Sequence, residues 1–331
     1  MTLLQQGIKF TEVLTVAILI ISIILGIFIS KETVLTLKLF GCSLIIISIL
    51  LIVKGKKLYK YYMGDEKCMN GIIESKAMEN GIMEREIGEI ISNKVNELNR
   101  PDLYRQPLVS FSSADDERYD ELKELIGEWH LTPSEFLPDA KSVISYFVPF
   151  TKDVVKEPKK MKDGSPLWGE AYQEINRHFN VINEAVSDYL TDLGYSAITI
   201  KPTHTYDPKD LKSMWSHRSA AVIAGLGDFG ANKLIITEKG SGGRFCTVIT
   251  SAVLKTDKAP VETKCLYIKN GTCGLCFKIC PVKVLSAEAI DKFTCQDELN
   301  KNERMLKETT RLESADVCGK CISICPFAYI E

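Results

Sequence analysis

Excess charge of either sign is what this chain lacks most. Its 331 residues hold 41 Lys and Arg against 43 Asp and Glu, for a net charge of −2. The basic signature of a dedicated nucleic-acid binder is therefore missing. Histidine is scarce, at four residues, and none lies between positions 265 and 325. No Ser–His–Asp arrangement, P-loop or HExxH is present. Internal repeats and long low-complexity segments are absent too. Charged residues make up 25% of the chain, an ordinary globular share that rules out wholesale disorder and collagen-like folds. The length allows one sizeable domain and a smaller module. What is abundant is cysteine: 11 in all, eight of them between Cys265 and Cys325.

The N-terminus bears on compartment. Val13–Ser30 is an uncharged run that would span about 27 Å as a helix. Thr33–Val53 is a second apolar run, interrupted only by Lys38, which is placed to snorkel. A cleaved signal peptide fits poorly, because the first run exceeds an h-region and no small-residue cleavage site follows. A buried hairpin in a soluble protein is the other alternative. The expectation is a transmembrane helical hairpin within residues 1–62, with the lipid bilayer as partner. Lys54, Lys56, Lys57 and Lys60 place its flank on the cytoplasmic side, with Tyr59, Tyr61 and Tyr62 at headgroup level. The protein is thus expected at the cell membrane with its globular part cytoplasmic, where thiols stay reduced.

Residues 63–100 read as a helical connector, with Ile87, Ile90, Ile91, Val95 and Leu98 at helical spacing before Pro101. Tyr119, Leu122, Leu125, Ile126 and Trp129 suggest one face of a helix over Glu117–Trp129. Val143–Pro149 reads as a buried strand. Ile175, Phe179, Ile182, Val186, Leu190 and Leu193 mark a helix closed by Gly194. Ala197–Ile200 is a short strand. Leu234–Thr237 and Cys246–Leu254 are expected to form a hairpin across Gly240–Gly243. Strands and helices alternate irregularly, which predicts an α+β domain over 101–260 and a cysteine module over 261–331.

The cysteines follow the series Cys265-x7-Cys273-x2-Cys276-x3-Cys280-Pro281, then Cys295, then Cys318-x2-Cys321-x3-Cys325-Pro326. C-x2-C-x3-C-P, present twice, is an iron–sulfur ligation run in which the Cys before Pro serves the other cluster. Crossed in that way, Cys265, Cys273, Cys276 and Cys325 would hold one [4Fe–4S] cluster. Cys280, Cys295, Cys318 and Cys321 would hold the second. Zinc is the rival for paired cysteines, but the doubled C-P endings and the absence of histidine argue against it. Asn270 stands where the usual run has a further cysteine, so Cys265 is taken as its substitute and Cys246 as the reserve. Cys42 lies in the second apolar run, and Cys68 reads as an ordinary thiol.

From about Leu137 onward the chain resembles the epoxyqueuosine reductase and reductive dehalogenase superfamily. The matching pieces are Leu137-Pro138-Asp139-Ala140-Lys141-Ser142-Val143-Ile144, then Ala224-Gly225-Leu226-Gly227-Asp228-Phe229-Gly230 with Asn232. The segments Leu234–Thr237 and Thr247–Thr250 follow, and then the cysteine series in family order. The resemblance implies a nitroreductase-like α+β domain holding cobalamin beside a ferredoxin-like module with two [4Fe–4S] clusters. Electrons from reduced ferredoxin or flavodoxin would pass through the clusters to cobalt and reduce an epoxide, a carbon–halogen bond or a similar small-molecule substrate. His217, Gly225, Leu226, Gly227, Phe229, Gly230 and Asn232 would lie on the cofactor side. The alternative is an electron-transfer or redox-sensing protein without cobalamin.

Departures from the family pattern bear on substrate. Asp228 stands where epoxyqueuosine reductases have Trp. The chain stops at Glu331, where they continue into helical repeats that help hold tRNA, so tRNA is not the expected partner. The twin-arginine signal of respiratory dehalogenases is absent. For proton donation, Asp210 is closest to the reductase offset and Tyr206 is the phenol of the same segment. A polar loop with an Asp-Pro turn is the competing reading of both. His217 and Arg218, ahead of an apolar segment, could contact a propionamide or phosphate group and read equally as a helix cap and a surface charge.

Overall fold

The computed structural model describes residues 66–202, 206–256 and 260–331, with 66–80 as backbone only. The chain divides into two compact units, Met1–Ala77 and Met78–Glu331, and the second contains both the sheet and the cysteine segment. The elements follow in order. Helix α1 (Glu66–Glu97) precedes strand β1 (Leu108–Ser113), helices α2 (Arg118–Leu125) and α3 (Pro133–Phe136), and strand β2 (Ser142–Pro149). Helix α4 (Lys152–Lys156), a 3-10 turn at Pro158–Lys160 and the long helix α5 (Pro166–Asp192) come next. Then come β3 (Ala197–Thr199), β4 (Tyr206–Asp207), β5 (Lys212–Ser213), α6 (His217–Ile223), β6 (Gly227–Phe229), β7 (Ile235–Thr237) and β8 (Gly243–Thr250). The cysteine segment adds α7 (Leu266–Asn270), α8 (Leu275–Ile279), α9 (Lys292–Thr309) and α10 (Lys320–Ser323).

An antiparallel sheet in the order β1-β2-β8-β3 organises the unit. β2 is buried along its whole length, which suits its apolar and β-branched run. Side chains alternate across the sheet. On one side Ile144, Tyr146, Val148, Cys246 and Val248 join the core made with α1 and α5. On the other, Val143, Phe147 and Ile249 meet residues of α6. α5 starts well before the first periodic residue read from sequence. Pro166 occupies its first turn and the Ser165 hydroxyl accepts from the Trp168 N–H, a strong start signal. Gly194, at φ +86°, ends it as expected.

Three expectations are corrected. The transmembrane hairpin of residues 1–62 lies outside the described residues, and among those described no helix is long and apolar enough to cross a membrane. Even α1, with 32 residues, carries recurrent charge along its length. The two-pass placement at the cell membrane, with the bilayer as partner, is therefore withdrawn. Next, the helix near 117–129 stops at Leu125 because Gly127 takes φ +139°. Leu125 is left 78% exposed, and the Lys212 ammonium sits 4.0 Å from the Trp129 ring centroid. Last, β7 and β8 do not pair. β7 pairs with β6, whereas β8 enters the sheet between β2 and β3. Gly243 permits that entry, since a Cβ there would lie 2.4 Å from the Val148 carbonyl oxygen.

Phe179 is fully buried and packs edge-on against Tyr146, with ring centroids 5.6 Å apart. Phe179→Ala should cost about 3–5 kcal/mol of unfolding free energy, read by urea denaturation. A cost below about 1 kcal/mol would show that α5 is not the element closing this face.

Candidate metal centre

The cysteine segment is built from short helices whose ends carry the thiols. Cys265 precedes α7, and Gly271 ends that helix in the left-handed region at φ +71°. Gly274, at φ +128°, allows the turn between Cys273 and Cys276. Edge-on packing of Tyr267 against Phe277, 5.0 Å between centroids, holds α7 to α8. Asp291 caps α9: its Oδ1 accepts from the Phe293 and Thr294 N–H groups at 3.0 and 3.2 Å. Cys295 is thereby fixed on the first turn. Gly319, at φ +69°, turns the chain from Cys318 into α10.

These pieces bring the last cysteine back to the first ones. Cys265, Cys273, Cys276 and Cys325 line one cavity, together with Gly230 and Asn232. Burial raises the Cys325 thiol to about 11, and the facing thiols of Cys265, Cys273 and Cys276 add to the rise. In the second set, burial first and then Cys318 and Cys280 raise Cys295 to about 11. Burial, Cys318 and Cys295 likewise raise Cys321 to about 12. Among the described residues no group of three or more His, Cys, Asp or Glu closes tightly enough for a metal ion. The Ala231 N–H donates to Cys265 Sγ at 3.4 Å, the kind of contact that orients a ligating thiolate. Eight cysteines in two sets of four match the donor number that two [4Fe–4S] clusters would need.

Cys246 lies elsewhere. It is fully buried in β8, where its sulfur accepts from Asn183 Nδ2 at 3.4 Å.

The residues expected on the cofactor side have other work. Gly225 ends α6 at φ +73°, and the Leu226 N–H donates to the Ala221 carbonyl. Leu226 is buried beside Phe147 and Ile235. A Cβ on Gly227 would lie 2.4 Å from the Ile236 carbonyl oxygen, so this glycine serves the contact of β6 with β7. The Phe229 carbonyl accepts from the Thr263 hydroxyl at 3.0 Å. The Gly230 N–H closes a turn onto the Leu234 carbonyl, and Asn232 Nδ2 donates to the Cys321 carbonyl at 3.2 Å. The run braces the cysteine segment through the Thr263 hydroxyl and the Cys321 carbonyl.

His217 is held at both ring nitrogens. The Lys201 carbonyl can only accept, so His217 Nε2–H donates to it at 3.2 Å, and Nδ1 of the neutral ring accepts from the Thr247 hydroxyl at 2.8 Å. Thr247 Oγ1 also accepts from Trp215 Nε1. Asp210 lies on an exposed turn, bridged to Lys212 Nζ at 3.2 Å. Tyr206 is half-buried, and its phenol is raised above the ordinary value by burial and then by the carboxylates of Asp316 and Glu303. A cleft of about 660 Å³ lined by Arg100, Glu170, Glu174 and Arg177 includes none of the cysteines. Its charges answer one another: Arg100 bridges Glu170 and Glu174, and Arg177 bridges Glu313.

Known families give no direct match. No family profile and no curated protein matches the chain. Among solved structures it is similar to epoxyqueuosine reductase from Bacillus subtilis, at TM-score 0.46 and 18% identity, over 73% of this chain and 66% of that one. Similarity to an epoxyqueuosine reductase with an epoxyqueuosine-modified tRNA stem loop is of the same extent, at TM-score 0.46 and 20% identity. A reductive dehalogenase described for B12-dependent dehalogenation is similar at TM-score 0.44 and 15% identity, over 66% of this chain and 29% of that one. The chain thus spans less than two thirds of these proteins. They belong to the two groups that the sequence motifs resemble.

Burial lowers His217 to about 4, with the Arg244 and Arg218 charges in the same sense and the Lys201 carbonyl opposing. An unfolded histidine titrates near 6.5. Between pH 6.5 and 4 the unfolded chain binds a proton that the folded chain does not, so this site's contribution falls as pH drops through that window. The stability advantage of the parental protein over His217→Gln should therefore shrink between pH 7 and pH 4.5 in urea unfolding. An unchanged gap would show that His217 titrates normally.

Proposed function

We propose that the chain is an iron–sulfur oxidoreductase holding two [4Fe–4S] clusters, one on Cys265, Cys273, Cys276 and Cys325 and the other on Cys280, Cys295, Cys318 and Cys321. The cavity that Cys325 shares with the first cysteine run carries this reading. When bound, such clusters pass single electrons. The chain's part is to hold the thiols apart around each core, to donate the Ala231 N–H to Cys265, and to limit water with Tyr267 and Phe277. The electrons would come from a one-electron carrier of ferredoxin or flavodoxin type. Between Thr263 and Ala287 the chain holds four lysines and no carboxylate, a balance suited to an acidic carrier.

The reading takes two forms. In one, a corrinoid reduces an epoxide, a carbon–halogen bond or a similar small-molecule substrate, as the resemblance implies. In the other, the protein transfers electrons without a corrinoid. The packing roles of Gly225, Leu226 and Gly227 favour the second form. If a substrate needs a proton, Tyr206 is the better placed donor, because it stays protonated and feels Asp316 and Glu303 of the cysteine segment.

Anaerobic reconstitution should load about eight irons per chain. Cys273→Ala and Cys325→Ala should lose the same cluster, and Cys318→Ala the other, by paramagnetic resonance of the reduced protein. A match of Cys325→Ala with Cys318→Ala would sink the crossed assignment. Cobalt that co-elutes stoichiometrically after reconstitution with cobalamin would establish the corrinoid form, and its absence the electron-transfer form.

A further inference from the structure

Two buried charges of opposite sign stand at the second cysteine set, and neither is needed to ligate anything. Lys320, between Cys318 and Cys321, is 7% exposed. Its ammonium donates to the Met161 carbonyl at 2.8 Å and the Lys162 carbonyl at 2.7 Å, and both partners are neutral. An ammonium buried on neutral partners is costly unless an anion lies near. Glu298 is 9% exposed and lies one helical turn beyond Cys295 on α9. It occupies the inward stripe that continues through Asn302 and Leu306, where helical periodicity calls for an apolar residue. Its partner is Lys301, at 3.5 Å, whose side chain is 56% exposed and which also reaches Asp163.

Both charges stand beside the second cysteine set: Lys320 opens α10 between Cys318 and Cys321, and Glu298 follows Cys295 by one turn of α9.

A four-thiolate cluster carries net negative charge and gains one more unit on reduction. A fixed cation beside it favours the reduced form and a fixed anion disfavours it, more strongly than in water because the site is half-buried. We propose that Lys320 and Glu298 set the reduction potential of the cluster held by Cys280, Cys295, Cys318 and Cys321, with Lys320 raising it and Glu298 lowering it. This inference rests on the two-cluster reading above. Each residue is a positioning residue for charge and not a ligand, and the two set the potential of this cluster by opposing one another.

The test is a redox titration of the anaerobically reconstituted full chain, followed by paramagnetic resonance. Lys320→Gln keeps an N–H donor for the Met161 and Lys162 carbonyls and removes the charge. Glu298→Gln keeps the shape and removes the opposite charge. Lys320→Gln should move one cluster to a more negative midpoint potential, and Glu298→Gln should move the same cluster to a more positive one. That cluster should be the one missing from Cys318→Ala, with the other unmoved. Lys320→Arg should titrate like the parent. Parental potentials in both neutral variants at full iron content would overturn the proposal. So would shifts of the same sign, or shifts in the cluster that survives Cys318→Ala. Should Lys320→Gln fail to load its cluster, Glu298→Gln decides alone: a positive shift supports the proposal and no shift overturns it. A parental chain that loads fewer than two clusters defeats the two-cluster reading itself, an outcome visible before any potential is measured.

Discussion

Closing Cys325 onto the cavity of Cys265, Cys273 and Cys276 is the constraint on which the rest of the cysteine segment depends. The chain between those thiols must be ordered before they can meet, and that ordering has an entropic cost that local contacts have to offset. α9 supplies one part: it is capped by Asp291 at one end and anchored by buried Leu306 at the other. Asn302 Nδ2 donates to the Val317 carbonyl at 2.9 Å and so leads the chain towards Cys318. The tail supplies the remainder. Gly240 lies so close to the Ala328 carbonyl that no side chain fits between, and a Cβ on Gly242 would run into Val155. Arg105 then donates to the carbonyls of Ile330, Lys239 and Phe150, with Tyr329 lying 4.3 Å below its guanidinium.

The same docking explains the glycine-rich run. Gly225, Gly227 and Gly230 allow α6, β6 and β7 to fold tightly, and Asn232 reaches from that hairpin to the Cys321 carbonyl. The sheet and the thiols are thus parts of one packed unit, so a change in the hairpin is expected to be felt at the metal centre through backbone contacts. Crowded, half-buried thiols are raised by burial and by one another. A positively charged core would stabilise them as thiolates, and its binding would then be coupled to folding of this segment.

Much of this was legible in the chain itself. β2 was evident from its unbroken apolar run, and α5 from the periodicity that begins at Ile175. The doubled C-x2-C-x3-C-P spacing, with Cys265 and Cys295, named the eight thiols and proposed their crossing. The failures have local causes. Gly127 shortened α2 against the apolar pattern. The turn at Gly240 looked like a hairpin, yet β8 found a longer partner in β2. Glu298 is readable as a carboxylate in the stripe three residues after a cysteine, but spacing alone does not show that it is buried.

The order of residues by itself determined which side chains can ligate metal, where helices start and stop, and which strand must be buried, because spacing, capping and hydrophobic period are local properties. Only the tertiary structure decided that Cys246 belongs to the sheet core while Cys265 faces the cavity. It also decided that the glycine run serves packing, and that Lys320 and Glu298 are buried on the helices that carry the second cysteine set. Those outcomes depend on which distant segments pack together, and a residue's burial and charge neighbours exist only after that packing is complete.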